Sequence, residues 1–287
     1  MRKEVIVIQT KIIADSCCDL TPALANLLDV DFVSFKMTVG ERHFTDDKNI
    51  DLKDLLHTIK ACKTAASTAC PSPDEYREAM EKYDASFVVT ISSKLSGSYN
   101  AAMVARDMVL EEYPDKKIAV IDSKSATSGE TLIAMRLHEA LLSGKSFEKI
   151  EAETREFVDK MTTLFVLEDL STLIKNGRIS KAAGLLGTML NLRPIMGTID
   201  GEIIAHEKVR GTQNAMRRLV ETVAEKLVAA SKGSIVLVMS YCNCIERATE
   251  LRRELLEKCT ALGEVIIVPA AGLSTVYEND GGIVLAF

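Results

Sequence analysis

Tryptophan is absent from this chain, and aromatic residues make up only 5% of its 287 residues. That is too sparse for a surface that reads nucleic acid by stacking bases. Positive charge is not in excess either: 35 Lys and Arg against 41 Asp and Glu leave a net charge of −6. The clustered basic footprint of a nucleic-acid binder is therefore not expected. No apolar run reaches the roughly 18–20 residues of a membrane-spanning helix. The Val5-Ile6-Val7-Ile8 stretch near the N-terminus is too short for a signal peptide and lacks a small-residue cleavage site. The expectation is a cytoplasmic protein with at most transient contact with a membrane surface.

Metal-ligand spacing is also missing. The seven cysteines include only two close pairs, Cys17-Cys18 and Cys242-x-Cys244, and neither has the two-residue gap of a zinc knuckle. His43, His57, His138 and His206 stand at no ligand-like interval from them or from one another. Reduced, partly buried thiols and no metal are expected. There is no Walker A pattern, and no Gly-x-Gly-x-x-Gly follows a strand-like segment. Ser96 and Ser123 stand where a nucleophile could sit, but no Gly-x-Ser-x-Gly elbow surrounds either and no histidine base is identifiable.

What is present is an ordered set of loops rich in Ser, Asp and Gly. Ile12–Ala14 runs into Asp15-Ser16-Cys17-Cys18-Asp19, Phe87–Thr90 into Ser92–Ser98, and Ile118–Ile121 into Asp122-Ser123-Lys124-Ser125. In an open α/β sheet, ligands sit outside the carboxyl ends of the strands, where the following helices begin. Hydroxyls and free N–H groups there, with the helix dipole, favour a negative charge. A pocket for a small anionic group is the first expectation.

The first half alternates strand and helix patterns, which argues for a parallel sheet covered by helices. Val5–Ala14 is β-branched, and its first part either joins the fold or extends ahead of it. Thr21-Pro22 reads as a cap and first helical proline, and Asp51 caps a helix with Leu52, Leu55, Leu56 and Ile59 on one face. Asp31–Val39 reads as one strand. Helical periodicity recurs over 74–83, 99–113, 129–142 and 147–160. The second half follows a different pattern, with a basic turn at Ile174–Ile179, an apolar helix over Ala182–Leu190, and a hairpin of Pro194–Thr198 and Ile203–Val209 around Asp200-Gly201. Helices over Gln213–Ala230 and Ile245–Lys258 alternate with late strands at Ile235–Met239, Val265–Val268 and Ile283–Phe287. Two domains are expected: residues 1–160 as a parallel-sheet α/β domain, and residues 161–287 as a layered α+β domain with a mixed sheet.

Several loop residues have two readings. Thr68-Ala69-Cys70-Pro71-Ser72-Pro73 leads into a helix, so Thr68 or Ser72 either caps it or meets a ligand. Ser96 either caps the helix near Tyr99 or faces a site. Arg178 is either a surface residue or a bidentate anion ligand.

Taken in order, these segments resemble the DegV family from about Lys11 to Phe287. The pieces are Asp15-Ser16-Cys17-Cys18-Asp19-Leu20, Thr68-Ala69-Cys70-Pro71-Ser72, Ile91–Tyr99 with Leu95-Ser96-Gly97-Ser98, Asp122-Ser123 with Ser128-Gly129, Asn176-Gly177-Arg178-Ile179, Arg193-Pro194-Ile195 and Lys208-Val209-Arg210. The resemblance implies a two-domain protein that binds one long-chain fatty acid and needs no other cofactor. It implies that Thr68 and Ser96, with the adjoining Gly97, hold the carboxylate. It places Arg178 near the head group, either neutralising the carboxylate or facing a partner. In relatives of this kind, the carrier presents its fatty acid to a separate kinase subunit.

Two positions depart from the family pattern. Ala69 replaces a serine, and Tyr277-Glu278-Asn279-Asp280-Gly281 replaces a His-x-Gly-Pro-Gly, so Tyr277 stands at the head-group position of the family histidine. A tyrosine donates a hydrogen bond but is no cation near neutral pH. Leu185, Leu186, Met189 and Leu190 are candidates either for an acyl tunnel or for plain helix core. The expected function is therefore non-catalytic fatty-acid binding for transport or for presentation to a kinase. The alternatives are a serine-dependent acyl hydrolase or transferase acting through Ser96, and a regulatory module that the ligand only stabilises.

Overall fold

The computed structural model describes residues 10–179 and 191–287. The start of the Val5–Ala14 run, the helix expected over Ala182–Leu190, and with it Leu185, Leu186, Met189 and Leu190, lie outside the described residues.

Four parallel strands, β1 (Thr10–Asp15), β2 (Val30–Val33), β6 (Ala85–Thr90) and β7 (Lys117–Asp122), form a sheet in the order β2-β1-β6-β7. Every residue of β6 is buried, as a central strand covered on both faces requires. The helices begin at the expected caps. Thr21 accepts from the Leu24 N–H ahead of α1 (Pro22–Leu28), and Asp51 accepts from Lys53 and Asp54 ahead of α2 (Leu52–Ala61). Ser72 and Glu75 close a reciprocal capping box on α3 (Pro73–Met80).

The segment read as one strand over Asp31–Val39 is two. It leaves the parallel sheet after Val33 and resumes as β3 (Lys36–Val39), between β4 (Arg42–Thr45) and β5 (Ser67–Ala69), in a small antiparallel sheet. The break has a local cause. The Phe35 N–H donates to the Ser16 hydroxyl at 3.0 Å and its carbonyl accepts from Asp46, so Phe35 exits the ladder and buries its ring.

A second sheet mixes parallel and antiparallel pairs. Its strands are β8 (Thr163–Val166), β9 (Ile195–Ile199), β10 (Glu202–Glu207), β11 (Ile235–Tyr241), β12 (Leu262–Pro269) and β13 (Ile283–Ala286), in the order β10-β9-β8-β13-β11-β12. Among the described residues of this sheet only β11 and β12 run parallel, so the second half is the expected mixed-sheet layer. The Asp200-Gly201 hairpin turn has positive φ at both residues, 47° and 82°.

Helices α4 (Ser98–Glu112), α5 (Ser128–Leu142) and α6 (Phe147–Lys160) follow the first sheet, and α5 is what joins the two sheets. On one side Ile133, Ala134 and Leu137 pack with Ile12, Phe87, Val89 and Ile121; on another, Leu132 packs with Val238, Val268 and Ala286. A helix apolar on several faces is a core helix. Its N-terminus is tied to the second sheet, because Ser128 Oγ donates to the Val284 carbonyl at 2.7 Å and accepts from the Ser240 N–H at 2.8 Å. Gly129 is required there, since a Cβ would fall 2.1 Å from Ser125 Oγ. The remaining helices are α7 (Ser171–Lys175), α8 (Thr212–Lys226), α9 (Ile245–Lys258) and α10 (Gly272–Glu278). Among the described residues no helix is long and apolar enough to cross a membrane.

Candidate functional site

A cavity opens between the loops of the first sheet and the inner strands of the second. Much of its wall is apolar: Phe35, Ile91, Leu95, Ala126 and Leu273 on one side, Phe165, Leu167, Leu173, Ile203 and Val284 on the other. Thr68, Ser96, Arg178 and Tyr277 line the same cavity. Four of the five residues singled out for a carboxylate thus come together from four separate stretches of chain. Gly97 stands beside them as the exposed N-cap of α4 and does not line the wall.

The hydrogen bonds at this end have a direction. Asn176 Nδ2 donates to the Tyr277 hydroxyl at 3.3 Å and also to the Ala66 carbonyl at 2.9 Å. The Tyr277 hydroxyl lies 3.0 Å from Thr68 Oγ1. Since the tyrosine oxygen accepts from Asn176, its own proton is best directed at Thr68, and the Thr68 hydroxyl then keeps its proton for a ligand. Ser96 is arranged alike: its oxygen accepts from the Ser98 N–H at 3.2 Å, satisfying the start of the helix without using its proton. The capping and ligand readings of Ser96 are therefore compatible. Ser72 is the cap of its own loop, while Thr68 sits on β5 opposite Met37 and turns to Tyr277.

Arg178 follows a turn in which Gly177 has φ +72°. Its Nε donates to the Leu95 carbonyl at 3.0 Å and its Nη1 to the Asn176 carbonyl at 2.6 Å. These bonds latch the second half of the chain onto the Ser92–Ser98 loop and hold a guanidinium at the cavity wall. Tyr277 is wedged similarly, touching the clusters around Phe165, Met37 and Phe35 at once.

The acidic loops do something other than what their composition suggested. Asp15 accepts from the Cys17 N–H, the Ile91 N–H at 3.0 Å and Ser98 Oγ at 2.7 Å. Asp19 accepts from Ser240 Oγ at 2.6 Å, Ser274 Oγ at 2.8 Å and the Ala271 N–H at 2.8 Å. Asp46 takes the Gly272 and Leu273 N–H groups at the start of α10. Ser92 Oγ donates to the Gly201 carbonyl at 2.8 Å, hooking the hairpin turn, and Ser125 Oγ meets Thr163 Oγ1 at 2.7 Å. These loops are joints between the two sheets. Of the hydroxyls in the three loops, only that of Ser96 lines the described cavity, so the expected anion pocket is much narrower than the loops that announced it.

Burial pushes Asp19 up to about 7 and Asp46 up to about 6, against the donors that favour their charged forms. Glu278, on the cavity wall, is raised well above the carboxylate range by burial and by Asp19. Cys17, also on the wall, is held as a thiol by burial and by the acids Glu130, Asp15 and Asp19. Among the described residues no histidine lines the cavity, and no group of three or more His, Cys, Asp or Glu is arranged to hold a metal ion.

The walls supplied by β8, α7, β10 and β13 could not be read from the sequence, where they look like ordinary core strands. Glu278 and Asn176 carried a local signal: the first is an acid in an apolar helix, and the second is the residue two before Arg178.

A family model described as an uncharacterised protein of the DegV family, COG1307, matches residues 9–286. A DegV domain-containing protein of Streptococcus pneumoniae (strain R6) is 34% identical over 283 residues, which cover 96% of this chain and 98% of that protein. The crystal structure of a DegV family protein from Ruminococcus gnavus, refined with vaccenic acid, superposes with a TM-score of 0.90 at 37% identity, covering 97% of this chain and 99% of that one. The Streptococcus pneumoniae fatty acid kinase (Fak) B3 protein, loaded with linoleic acid, superposes with a TM-score of 0.87 at 33% identity, covering 98% and 99% of the two chains.

Proposed function

The chain belongs to the DegV family, and from that premise we propose that it binds one long-chain fatty acid and carries or presents it without transforming it. The observation that carries this reading is the cavity itself: an apolar interior with Thr68, Ser96, Arg178 and Tyr277 gathered on its wall. The acyl chain lies against Phe165, Leu173, Ile203 and Leu273. The carboxylate takes the free hydroxyl protons of Thr68 and Ser96, and Arg178 balances its charge. Tyr277, held by Asn176, orients the Thr68 hydroxyl. A neutral Glu278 leaves the acid in the cavity unopposed by a second charge.

The magnitudes agree with these roles. Burying one CH₂ contributes about 0.8 kcal/mol, so a sixteen-carbon tail supplies roughly 10 kcal/mol before ordering costs. The hydroxyls then fix orientation and spare the carboxylate from burial without partners. Ser96 has no histidine base on the described cavity wall to make it a nucleophile, so a hydrolase is the weaker reading. The likeness to the fatty acid kinase (Fak) B3 protein supports presentation to a kinase, and Tyr277 stands where the family pattern has a histidine.

Native mass spectrometry of the purified chain, with extraction of any retained lipid, tests the reading. One added mass matching a long-chain acid is expected. A chain that retains none and takes up neither oleate nor palmitate contradicts it.

A further inference from the structure

One stretch of the cavity wall is attached differently from the rest. Thr198 and Ile203 stand directly opposite each other in the β9–β10 hairpin, so their side chains share a face. Both line the cavity and both are partly exposed, whereas Phe165, Leu273 and Val284 on the same wall are buried.

The base of the hairpin is firmly held. Ile195 and Met196 are buried, and Leu192 bridges to Arg210. The Arg193 N–H donates to the Val209 carbonyl at 2.8 Å, and the Arg193 guanidinium pairs with Glu168. Beyond the base the attachment thins. Among the described residues, β9 pairs with β8 only through Leu164–Gly197 and Phe165–Met196, and β10 is the edge of the sheet, with a bulge between Ala205 and Glu207. From Thr198 to Ile203 the described strands pair only with each other.

The tip crosses to the loops of the first sheet and is caught there. Gly201 is buried between the exposed Asp200 and Glu202. Its carbonyl accepts from Ser92 Oγ at 2.8 Å, and a Cβ on it would fall 2.3 Å from that oxygen. Ser92 Oγ is aimed, because it also accepts from the Lys94 N–H at 3.2 Å. The second tie, Lys124 to Asp200 at 3.5 Å, is exposed and adds little. A wall segment anchored at its base, bulged part-way and held at its tip by one good hydrogen bond opens at less cost than the buried strands beside it.

We propose that the β9–β10 hairpin is a flap over the acyl chain, and that release of Gly201 from Ser92 lets the chain in and out. The inference rests on the fatty-acid reading and adds to it the path of exchange. Opening moves Thr198 and Ile203 off the chain, while Thr68, Ser96 and Arg178, on other segments, stay in place. The latch closes the empty and the loaded protein alike, so weakening it speeds entry and release together and leaves affinity nearly unchanged.

The test uses the full chain loaded with cis-parinaric acid, a fluorescent long-chain acid, displaced by excess oleate in stopped flow. Ser92→Ala is expected to speed release about fivefold, the factor one hydrogen bond is worth, with equilibrium affinity held within about twofold. Ser92→Cys combined with Gly201→Cys tests the opposite direction. The Ser92 Cβ and a Cβ on residue 201 lie 3.4 Å apart, close to the spacing across a disulfide. Release is expected to stall while that pair is oxidised and to recover on reduction; if the pair does not close, Ser92→Ala alone decides. Release unchanged in Ser92→Ala, or as fast from the oxidised pair as from the reduced one, overturns the flap and leaves the head-group reading standing. An unaltered chain that takes up neither acid overturns both.

Discussion

Asp19 and Glu278 are both buried acids, at 0% and 2% exposure, and near neighbours at the joint between the two sheets. Asp19 receives three donors, from Ser240, Ala271 and Ser274; Glu278 receives none from the described residues. The difference separates two uses of buried polarity. A fully paired acid fixes how two layers meet, and the protein's own donors offset its desolvation. An acid without such donors is neutralised instead, as burial and the nearby Asp19 raise Glu278 well above the carboxylate range. Asp46 belongs to the first kind, and Asp15 is equally paired but among the first sheet's own loops, which is why the Asp- and Ser-rich loops that look like a ligand site are mostly structural.

The largest effect should come from breaking the paired side of this comparison. Asp19→Ala strands two buried hydroxyls and one backbone N–H, and should lower unfolding free energy by about 2–5 kcal/mol. Urea unfolding checks it, and Asp19→Asn should recover part of the loss. A midpoint unchanged by Asp19→Ala would show that the joint does not depend on that carboxyl.

Next in size is the pH dependence. Asp19 at about 7 and Asp46 at about 6 hold their protons more tightly when folded than at their ordinary value of 3.8. The folded chain therefore binds more protons than the unfolded one in this window, and stability falls as pH rises through it. The melting temperature should climb as pH is lowered from about 8 to about 5, with a smaller rise in Asp19→Asn. A flat profile over that range would mean that the donors around Asp19 outweigh its burial.

Removing the candidate head-group hydroxyls should act mainly on binding. Thr68→Val and Ser96→Ala should each weaken fatty-acid affinity by about 1–3 kcal/mol, with a smaller loss of stability from the Tyr277 hydroxyl or Ser98 N–H left without its acceptor. Affinity unchanged in both would place the carboxylate elsewhere. The smallest effect belongs to the unpaired side: Glu278→Leu should raise stability by about 1 kcal/mol, the opposite sign to Asp19→Ala. Destabilisation comparable to Asp19→Ala would put Glu278 among the joints after all.

Much of the fold was legible because its signals are local. Thr21, Asp51 and Ser72 announce their helices, and Asp200-Gly201 announces its hairpin. The bend at Phe35 was not, since it depends on Ser16 and Asp46, which approach only after folding. The candidate head-group residues Thr68, Ser96, Arg178 and Tyr277 are singled out by the family resemblance rather than by chemistry, because Thr68 and Ser96 each also read as a cap and Arg178 as a surface residue. The apolar wall was hidden for a different reason: Phe165, Leu167 and Val284 look like any buried strand residue until sheet pairing turns them to the cavity. The missing donors around Glu278 could not be seen in any pattern, since lacking a partner is a property of the packed molecule.

The most direct measurement is calorimetric titration of the lipid-free chain with hexadecanoic acid and with its methyl ester, which share the tail and differ at the head. If Thr68, Ser96 and Arg178 hold a carboxylate, the acid binds one to one and the ester at least about tenfold more weakly, the loss of one charge-assisted hydrogen bond or more. Equal affinities would mean that the cavity holds the tail without reading the head, and would contradict the assignment of that end of the site.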